Sequence, residues 1–437
     1  MSNVSSVSSV SNESTFQRSL WSATATDAPI CPTAVGATEC DVAIVGAGYT
    51  GLSAALHLAQ QGKVVTVLEA QEPGFGCSGR NGGQVNPGSS RMLPSDIVNT
   101  LGSYWGERFL EFGDRSSAIV FDLIQRYQID CELVQPGYLQ GGYGKRGRRI
   151  NEAWAAQWRA RGVEIRTLGH DEISSLTGTR VYDWGLLDPR GGSVQPLSYA
   201  RGLARAAQSE GATVCANSPA QSIRRNGTAW QVVTPDAVVS CRHVILATNG
   251  YTDGLWPGLT KSVVPTASFL SATAPLEPSL LRTILPGRQA VSETARVIVY
   301  YRRDAAGRLI MGAHGNLFST RELGDTQHVR REAVRLFPEL ADVGWEYDWA
   351  GWPAITRNHT PHLFRLDDGV YAGLGYNGRG VASATLMGAQ LAAVILDSAE
   401  PLIEVRPLST FKMHPFRQIG ISFHLLSRKV LDRFDRR

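Results

Sequence analysis

Residues 41–70 constrain the fold of this chain more than any other segment. Residues 42–45 and 64–68 are short apolar runs rich in valine and isoleucine, which is typical of buried strands. Between them, residues 52–60 carry apolar side chains at helical spacing. A buried strand, a helix and a second buried strand predict a βαβ unit and therefore an α/β fold with a parallel sheet.

The turn between the first strand and the helix suits a dinucleotide. Its glycines form G-x-G-x-x-G, which permits a tight turn, a close backbone approach to a pyrophosphate and close packing of the helix on the sheet. The helix start offers N–H groups and the positive end of its dipole. An acid 18 residues after the last glycine (69 − 51 = 18) can bind a ribose and disfavours a 2′-phosphate, so FAD or NAD is favoured over NADP. The expected contacts here are Gly46, Ala47, Gly48, Tyr49, Thr50, Gly51, Glu69 and Ala70.

A second glycine-rich segment, residues 74–84, distinguishes FAD from NAD. It reads GFGCSGRNGGQ directly after the second strand. A flavoprotein needs backbone that runs flat along the pyrophosphate and the isoalloxazine, and glycine permits this. An NAD-dependent dehydrogenase has little need for such a loop. We therefore expect noncovalently bound FAD, contacted by Ser78, Gly79, Arg80, Asn81, Gly82, Gly83 and Gln84.

Three strings together, GAGYTGLSAALHLA, LEA and GFGCSGRNGGQ, resemble those of the FAD-dependent amine oxidases of the D-amino-acid oxidase and glycine oxidase superfamily. SGRNGGQ is the most specific of them and is most similar to the gamma-glutamylputrescine oxidases. The resemblance covers residues 41–396. It implies a Rossmann-like FAD-binding domain of the glutathione-reductase type and an antiparallel-sheet (α+β) substrate domain.

The resemblance also implies how the domains divide the chain. We expect residues 1–37 to be disordered or extended, with Ser19-Leu20-Trp21 anchored at the protein surface. The expected FAD-binding domain comprises residues 38–95, 190–265 and 345–400, the substrate domain comprises residues 96–189 and 266–344, and residues 401–437 form an amphipathic tail.

Later segments are expected to return to the cofactor. Residues 375–380 read GYNGRG and precede a helical pattern at 381–396. The resemblance implies that this helix start faces the flavin N1–C2=O edge, where negative charge develops on reduction. It also implies that a strand ending near residue 247 approaches the cofactor. The expected contacts are Ala220, Thr248, Asn249, Gly375, Asn377, Gly378, Arg379, Gly380 and Val381.

The reaction implied by the resemblance is oxidation of a carbon–nitrogen bond of an amine. A hydride passes from the amine α-carbon to flavin N5, and O2 reoxidises the flavin to give H2O2. We expect a carboxylate-bearing amine such as a gamma-glutamyl amine, with Arg302 binding the carboxylate. Strand alternation allows only one of Arg302 and Arg303 to face inward. The expected catalytic or substrate-contacting residues are Asn81, Gln84, Tyr301, Arg302 and Tyr376.

Composition argues against several other functions. The 437 residues suffice for two domains, and 43% hydrophobic and 19% charged residues are typical of a soluble globular protein. A net charge of +4 without an aromatic-interleaved basic run gives no reason to expect nucleic acid. No run of about 18 apolar residues predicts a membrane span. Six cysteines without C-x-x-C predict reduced thiols and a cytoplasmic protein.

Several points remain to be settled beyond the sequence motifs. His359 and His362 have metal-ligand spacing but lack a nearby third ligand, so we predict no metal site. Residues 411–437 are amphipathic and basic; docking on the protein itself is favoured, with peripheral membrane contact as the alternative. The chain could also be a dehydrogenase that passes electrons to a quinone or a partner protein, or a non-catalytic FAD-binding subunit. Neither the amine nor the oligomeric state follows from the sequence.

Overall fold

Two large sheets organise the chain in this computed structural model, which describes residues 16–88, 92–295, 298–314 and 326–411. The helices are α1 (Leu20–Thr24), α2 (Tyr49–Ala59), α3 (Pro94–Leu101), α4 (Ser103–Arg126), α5 (Lys145–Arg159), α6 (His170–Thr177), α7 (Pro196–Ser209), α8 (Pro278–Leu281), α9 (Gln327–Leu336) and α10 (Gly380–Leu396). The strands are β1 (Gly36–Val45), β2 (Val65–Leu68), β3 (Gln84–Val85), β4 (Tyr138–Gly142), β5 (Arg166–Leu168), β6 (Trp184–Asp188), β7 (Gly192–Ser193), β8 (Thr213–Cys215), β9 (Ser222–Asn226), β10 (Ala229–Val233), β11 (Ala237–Leu246), β12 (Val264–Pro265), β13 (Ser268–Thr273), β14 (Ala290–Glu293), β15 (Val299–Arg303), β16 (Leu309–His314), β17 (Trp345–Gly351), β18 (Ala354–Ile355), β19 (His362–Asp367), β20 (Val370–Leu374) and β21 (Val405–Pro407).

The first sheet has a parallel centre. Its order is β21-β19-β20-β11-β1-β2-β8, and the antiparallel hairpin β9–β10 continues from the first half of β11. Within it, β1 pairs in parallel with both β2 and β11. The second half of β1, Val42 to Val45, is buried throughout, as expected of a strand covered on both faces. This arrangement confirms the predicted parallel α/β sheet.

The second sheet is largely antiparallel, as the resemblance implied. Its order is β17-β13-β16-β15-β14-β4-β6-β5, and β14 with β4 is its parallel pair. A separate hydrophobic core lies on one face of this sheet and includes Tyr301 and Phe337. Two short antiparallel pairs, β3 with β7 and β12 with β18, complete the strand pairing of the described residues.

Helices α2, α7 and α10 pack on strands of the first sheet, and α4 packs on α10. Helix α10 packs against both α2 and α4. At Gly388 an added Cβ would lie 2.5 Å from the carbonyl oxygen of Thr50. The lack of a side chain at Gly388 therefore lets the middle of α10 pack closely on the first turn of α2. No helix among the described residues is long and apolar enough to cross a membrane.

Several predicted domain boundaries differ from the observed pairing. Strand β17 pairs with β13 in the second sheet, although residues 345–400 were assigned to the FAD-binding domain. Helix α4 packs on α10, which contacts the first sheet, although residues 96–189 are expected to lie in the substrate domain. Strand β21, in the predicted tail, joins the first sheet beside β19. Burial of apolar faces, which depends on tertiary contacts, determines these memberships.

The N-terminal arm, defined here as residues 16–34, contains a short helix near its start, whereas its residues 26–34 form neither helix nor strand. Helix α1 begins after Ser19, whose Oγ accepts a hydrogen bond from the N–H of Ser22. Trp21 is fully buried rather than anchored at the surface. The amphipathic pattern at residues 412–437 lies outside the described residues.

Candidate active site

The turn between β1 and α2 requires glycine at two positions. Gly46 has a φ of +104°, which L side chains rarely adopt. A Cβ on Gly51 would lie 1.9 Å from the carbonyl oxygen of Gly46, so a larger residue would push α2 away from β1. A Cβ on Gly48 would lie 2.8 Å from Ser78 Oγ. Gly46 and Gly51 therefore have the local tasks predicted for them, while a pyrophosphate contact at Gly48 stays a prediction.

The first turn of α2 is suited to an anion. The first intrahelical bond runs from Leu52 N–H to the Gly48 carbonyl at 2.9 Å, so the N–H groups of Thr50 and Gly51 precede the helical ladder. The Tyr49 N–H donates to Ser78 Oγ at 3.1 Å. Ser78 thus places a hydroxyl at the helix start, where the positive end of the dipole lies.

Glu69 lies at the carboxyl end of β2 and joins three segments. Its Oε2 accepts from the N–H of Ala47 at 2.7 Å, and its Oε1 accepts from the N–H of Gln71 at 3.1 Å. Burial raises the pKa of this carboxyl, while the backbone donors Ala47, Gln71 and Ala70 act in the opposite direction. The Ser218 N–H donates to the Glu69 carbonyl at 2.7 Å, which brings the segment before Ala220 to the same edge.

Asn81 holds the glycine-rich segment 74–84, hereafter the flavin loop, in shape. Its Nδ2 donates to the carbonyls of Cys77 (3.0 Å) and Ser78 (2.8 Å) and to the Tyr49 hydroxyl (3.1 Å). Its Oδ1 accepts from the Gly83 N–H at 2.7 Å. Because the side-chain amide is engaged within the loop, this geometry favours a structural task for Asn81 over a substrate contact.

Three consecutive carbonyl groups of the flavin loop each accept a hydrogen bond from a distant side chain. Trp349 Nε1 donates to the carbonyl of residue 80 at 2.9 Å, and Trp21 Nε1 donates to that of residue 81 at 2.8 Å. Arg302 Nε donates to that of residue 82 at 2.8 Å. No local sequence pattern marks a buried indole N–H, so these hydrogen bonds of Trp21 and Trp349 could not be predicted.

Arg302 does not have the surroundings expected of a carboxylate-binding residue. Besides Gly82, its guanidinium donates to the carbonyls of Val194 (2.7 Å) and Arg303 (3.3 Å) and lies over the Trp21 ring. It is 1% exposed, and burial lowers its pKa to about 10. We therefore correct the expectation: Arg302 braces the flavin loop. The predicted alternation holds, since Arg303 Nη1 donates elsewhere, to the Leu281 carbonyl.

Tyr301 lies on the face of the second sheet that is turned away from the flavin loop. Its hydroxyl donates to the Tyr182 hydroxyl at 3.2 Å, and its ring packs edge-on against Phe337. The neighbouring Tyr300, which the sequence analysis missed, faces the loop instead: a Cβ on Gly82 would lie 2.7 Å from its Cε2. Strand alternation was the available signal, because residues 300 and 302 share a face.

Tyr300 is the aromatic side chain nearest to the flavin loop on β15. Its hydroxyl lies 2.9 Å from Ser268 Oγ, and burial raises its pKa, so it stays protonated. Two other expected catalytic residues make structural bonds. Gln84 Nε2 donates to the carbonyls of Val291 (3.0 Å) and Tyr301 (3.2 Å). The Tyr376 hydroxyl donates to the Gly373 carbonyl at 2.9 Å, and the same hydroxyl lies 2.5 Å from Thr50 Oγ1.

The segment 375–380, hereafter the C-terminal loop, leads into α10 through residues with positive φ. These are Gly375 (+82°), Asn377 (+52°) and Gly378 (+84°). Asn249 Oδ1 accepts from the Gly375 N–H at 2.9 Å, which joins the ends of β11 and β20. The first bond of α10 runs from Ser383 N–H to the residue 379 carbonyl at 3.1 Å, so the N–H groups of Gly380 and Val381 precede the ladder.

Arg379 connects the C-terminal loop to the exit of the flavin loop. Its Nη1 donates to the carbonyl of Pro87 and, at 3.5 Å, to that of Gly88. Arg379 and Pro87 are 292 residues apart in sequence. The C-terminal loop therefore lies against the segment that directly follows the flavin loop. That both loops contact one cofactor stays a prediction. Thr248, also expected there, has its Oγ1 2.7 Å from Thr252 Oγ1.

Residues that could hold a metal are not grouped in the described part of the chain, where no cluster of three His, Cys, Asp or Glu side chains occurs. His362 Nε2 lies 3.0 Å from Asn358 Oδ1, and its ring packs edge-on against Phe364.

Comparison with known proteins decides the family. Residues 41–394 match the family model DAO, described as FAD dependent oxidoreductase. The chain belongs to this family. It is 34% identical over 371 residues to a gamma-glutamylputrescine oxidoreductase of Escherichia coli, covering 83% of this chain and 84% of the relative. It is 31% identical over 386 residues to the probable oxidoreductase OrdL of Rhizobium meliloti, covering 88% and 89%.

Solved structures of the DAO family's fold agree with the two-sheet architecture. Glycine oxidase from Geobacillus kaustophilus superposes with a TM-score of 0.70 at 21% identity, covering 87% of this chain and 98% of that one. L-proline dehydrogenase from P. horikoshii superposes with a TM-score of 0.70 at 19% identity, covering 84% and 95%. The predicted fold class and family resemblance are thereby confirmed, and the chain is an FAD-dependent oxidoreductase of the DAO family.

Proposed function

We propose that this DAO-family protein oxidises a carbon–nitrogen bond of a carboxylate-bearing amine, with gamma-glutamyl amines as the substrate class. The observation that carries the proposal is the position of the C-terminal loop, which contacts the segment directly after the flavin loop through Arg379 and the first turn of α2 through Tyr376. The similarity to a gamma-glutamylputrescine oxidoreductase supports the substrate class. Oxidation of an amine by FAD consists of hydride acceptance by the cofactor and its reoxidation by O2.

The described residues fit FAD. Glu69 offers carboxylate oxygens at the strand end where a ribose is bound in this fold, and Ala220 lies along the same edge. The uncapped first turn of α2 and the Ser78 hydroxyl suit the pyrophosphate. The flavin loop and the start of α10 suit the isoalloxazine. We propose as FAD contacts the full set predicted from the sequence, with Arg80, Gln84 and Arg379 acting by holding backbone in place.

The side chains around the loops have separate tasks in this proposal. The start of α10 would favour the negative charge of an electron-rich flavin bound there, because the N–H groups of its first turn are free of the helical ladder and lie at the positive end of the dipole. Tyr300, rather than Tyr301, borders the substrate space, and its protonated hydroxyl can orient a polar substrate group. Burial of the loop behind Trp21 and Trp349 excludes water from the rear of the site.

Flavin bleaching under anaerobic conditions tests the proposal. The purified protein is mixed with gamma-glutamyl amines, N-methyl amino acids and D-amino acids, and the visible flavin absorption is followed before and after O2 is added. We expect gamma-glutamyl amines to bleach the flavin fastest and O2 to restore the colour rapidly. Bleaching without rapid reoxidation would indicate a dehydrogenase with another acceptor. A lack of bleaching by every amine would favour a non-catalytic FAD-binding subunit.

We expect the FAD to be held noncovalently. Cys77 is the cysteine of the flavin loop, and burial raises the pKa of its thiol to about 12, which keeps it protonated and poorly nucleophilic. A Cβ added to Gly351 would lie 3.3 Å from the Cys77 Sγ, so the thiol packs against β17. Acid precipitation should release the yellow colour into the supernatant. Colour that stays in the pellet, and is absent from the pellet of Cys77→Ala, would contradict the prediction.

A further inference from the structure

We propose that Trp21 is a positioning residue for the cofactor: by holding the carbonyl of Asn81, it turns the N–H of Gly82 into the site as a hydrogen-bond donor to the flavin. Trp21 belongs to the N-terminal arm and lies outside residues 41–394, which match the family model. The inference rests on the proposed function, because it requires FAD at the flavin loop.

The bond to Trp21 fixes the direction of the Gly82 N–H. In a planar trans peptide, the C=O and N–H groups point in opposite directions. The Asn81 carbonyl points to Trp21 Nε1 at 2.8 Å, so the Gly82 N–H of the same peptide points away from Trp21. A rotation of this peptide would break the indole bond and leave a buried carbonyl without a donor, which costs about 1–3 kcal/mol.

The N–H groups on either side of Gly82 already donate hydrogen bonds within the flavin loop. The Asn81 N–H donates to the Cys77 carbonyl at 3.0 Å, and the Gly83 N–H donates to Asn81 Oδ1 at 2.7 Å. The Gly82 N–H has no acceptor within hydrogen-bonding distance among the described residues. A polar group in a partly buried loop requires a partner, and a flavin carbonyl oxygen or ring nitrogen would supply it.

Trp21 itself is held rigidly, as a positioning residue must be. Its ring packs edge-on against Trp349 at 5.6 Å between centroids, and the Arg302 guanidinium lies 4.8 Å from its ring centroid. Its carbonyl accepts from Gln195 Nε2 at 2.9 Å. Sequence-distant residues on β17, β15 and the start of α7 therefore fix the indole, and the indole fixes the Asn81–Gly82 peptide.

The substitution Trp21→Phe tests the proposal because it removes the indole N–H and keeps an aromatic ring. Two tryptophans provide matched controls. Trp349→Phe removes the same kind of bond from the adjacent carbonyl, whose peptide N–H, that of Asn81, is already engaged. Trp230→Phe removes the bond of another buried indole, to the Asp368 carbonyl in the turn between β19 and β20. The FAD content, the visible flavin spectrum, the flavin midpoint potential and the thermal unfolding temperature are measured for each.

We expect Trp21→Phe to retain FAD but to shift the visible flavin bands and lower the midpoint potential, because a donor to a flavin carbonyl stabilises the charge gained on reduction. A raised potential would also support the donor and would place it at flavin N5. Trp230→Phe should lower the unfolding temperature without shifting the potential, and Trp349→Phe, whose ring packs on Trp21, should shift the potential less than Trp21→Phe does. An unshifted potential in FAD-loaded Trp21→Phe, or an equal shift in Trp349→Phe, overturns the inference.

A second measurement uses the unmodified protein in case Trp21→Phe does not fold. Hydrogen exchange of the Gly82 amide is compared between the FAD-loaded protein and the same protein stripped of FAD. We expect at least a tenfold slower exchange in the loaded form, and equal rates would overturn the inference. Absence of FAD from the purified wild type would instead contradict the proposed function, so the two failures are distinguishable.

Discussion

Gly51→Ala should leave the protein largely without FAD. The added Cβ would lie 1.9 Å from the Gly46 carbonyl oxygen and 3.2 Å from Ile44 Cγ2, so the start of α2 must move away from β1. Overpacking of this kind costs about 1–3 kcal/mol, and each 1.4 kcal/mol corresponds to about tenfold in binding. We expect a fall of at least about tenfold in FAD affinity, measured by titration of the apo form.

The control for this prediction is Gly254→Ala. An added Cβ at Gly254 meets no atom within 4 Å, and its φ is not in the left-handed region. This variant should bind FAD as the wild type does. Wild-type FAD content in Gly51→Ala would contradict the placement of the cofactor at the β1–α2 turn.

Arg302→Ala should destabilise the protein and release FAD, rather than weaken substrate binding alone. The substitution leaves the carbonyls of Gly82 and Val194 without their guanidinium donors. At about 1–3 kcal/mol for each buried carbonyl, the free energy of unfolding should fall by about 2–6 kcal/mol. Arg302→Lys should restore little of this, because an ammonium lacks the planar set of donors that reaches several carbonyls at once. Denaturant unfolding and FAD content are the measurements.

Arg365→Ala is the matched control for Arg302→Ala. Arg365 is 56% exposed and pairs with Asp368 at 2.8 Å, and exposed ion pairs contribute about 0–1 kcal/mol. An Arg302→Ala protein with normal FAD content and stability, but with selectively impaired use of carboxylated amines, would restore the original carboxylate-binding hypothesis. The two variants therefore separate a bracing arginine from a substrate-binding one.

Local backbone requirements explain which parts of the site could be predicted from the sequence. Gly46 and Gly51 lie within one turn, so the positive φ and the close helix approach follow from residues a few positions apart. The same holds for Gly375 and Gly378, which precede α10. The string SGRNGGQ is likewise local, and it resembles the family whose model matches residues 41–394.

Side-chain destinations could not be predicted in this way. Strand alternation correctly separated Arg302 from Arg303, but it does not say whether the inward residue meets a substrate or a backbone carbonyl. Tyr300 faces the flavin loop and Tyr301 faces the core of the second sheet, and the sequence could not decide between them because the face of β15 that meets the loop depends on the position of the second sheet. The structural task of Gln84 could not be predicted for the same reason, because its partners are carbonyls on β14 and β15 of the second sheet.

The sequence by itself determined the βαβ unit, the glycine turns, the acid at the end of β2 and, through its resemblance, the family. These features depend on local backbone conformation and on residues that lie close together in the sequence, so they can be recognised without the tertiary structure. Only the tertiary structure decided that Arg302 and Trp21 hold carbonyls of the flavin loop, 220 and 60 residues away in sequence. A hydrogen-bond donor is assigned by the acceptor that burial leaves in front of it, and that acceptor is known only when distant segments have packed.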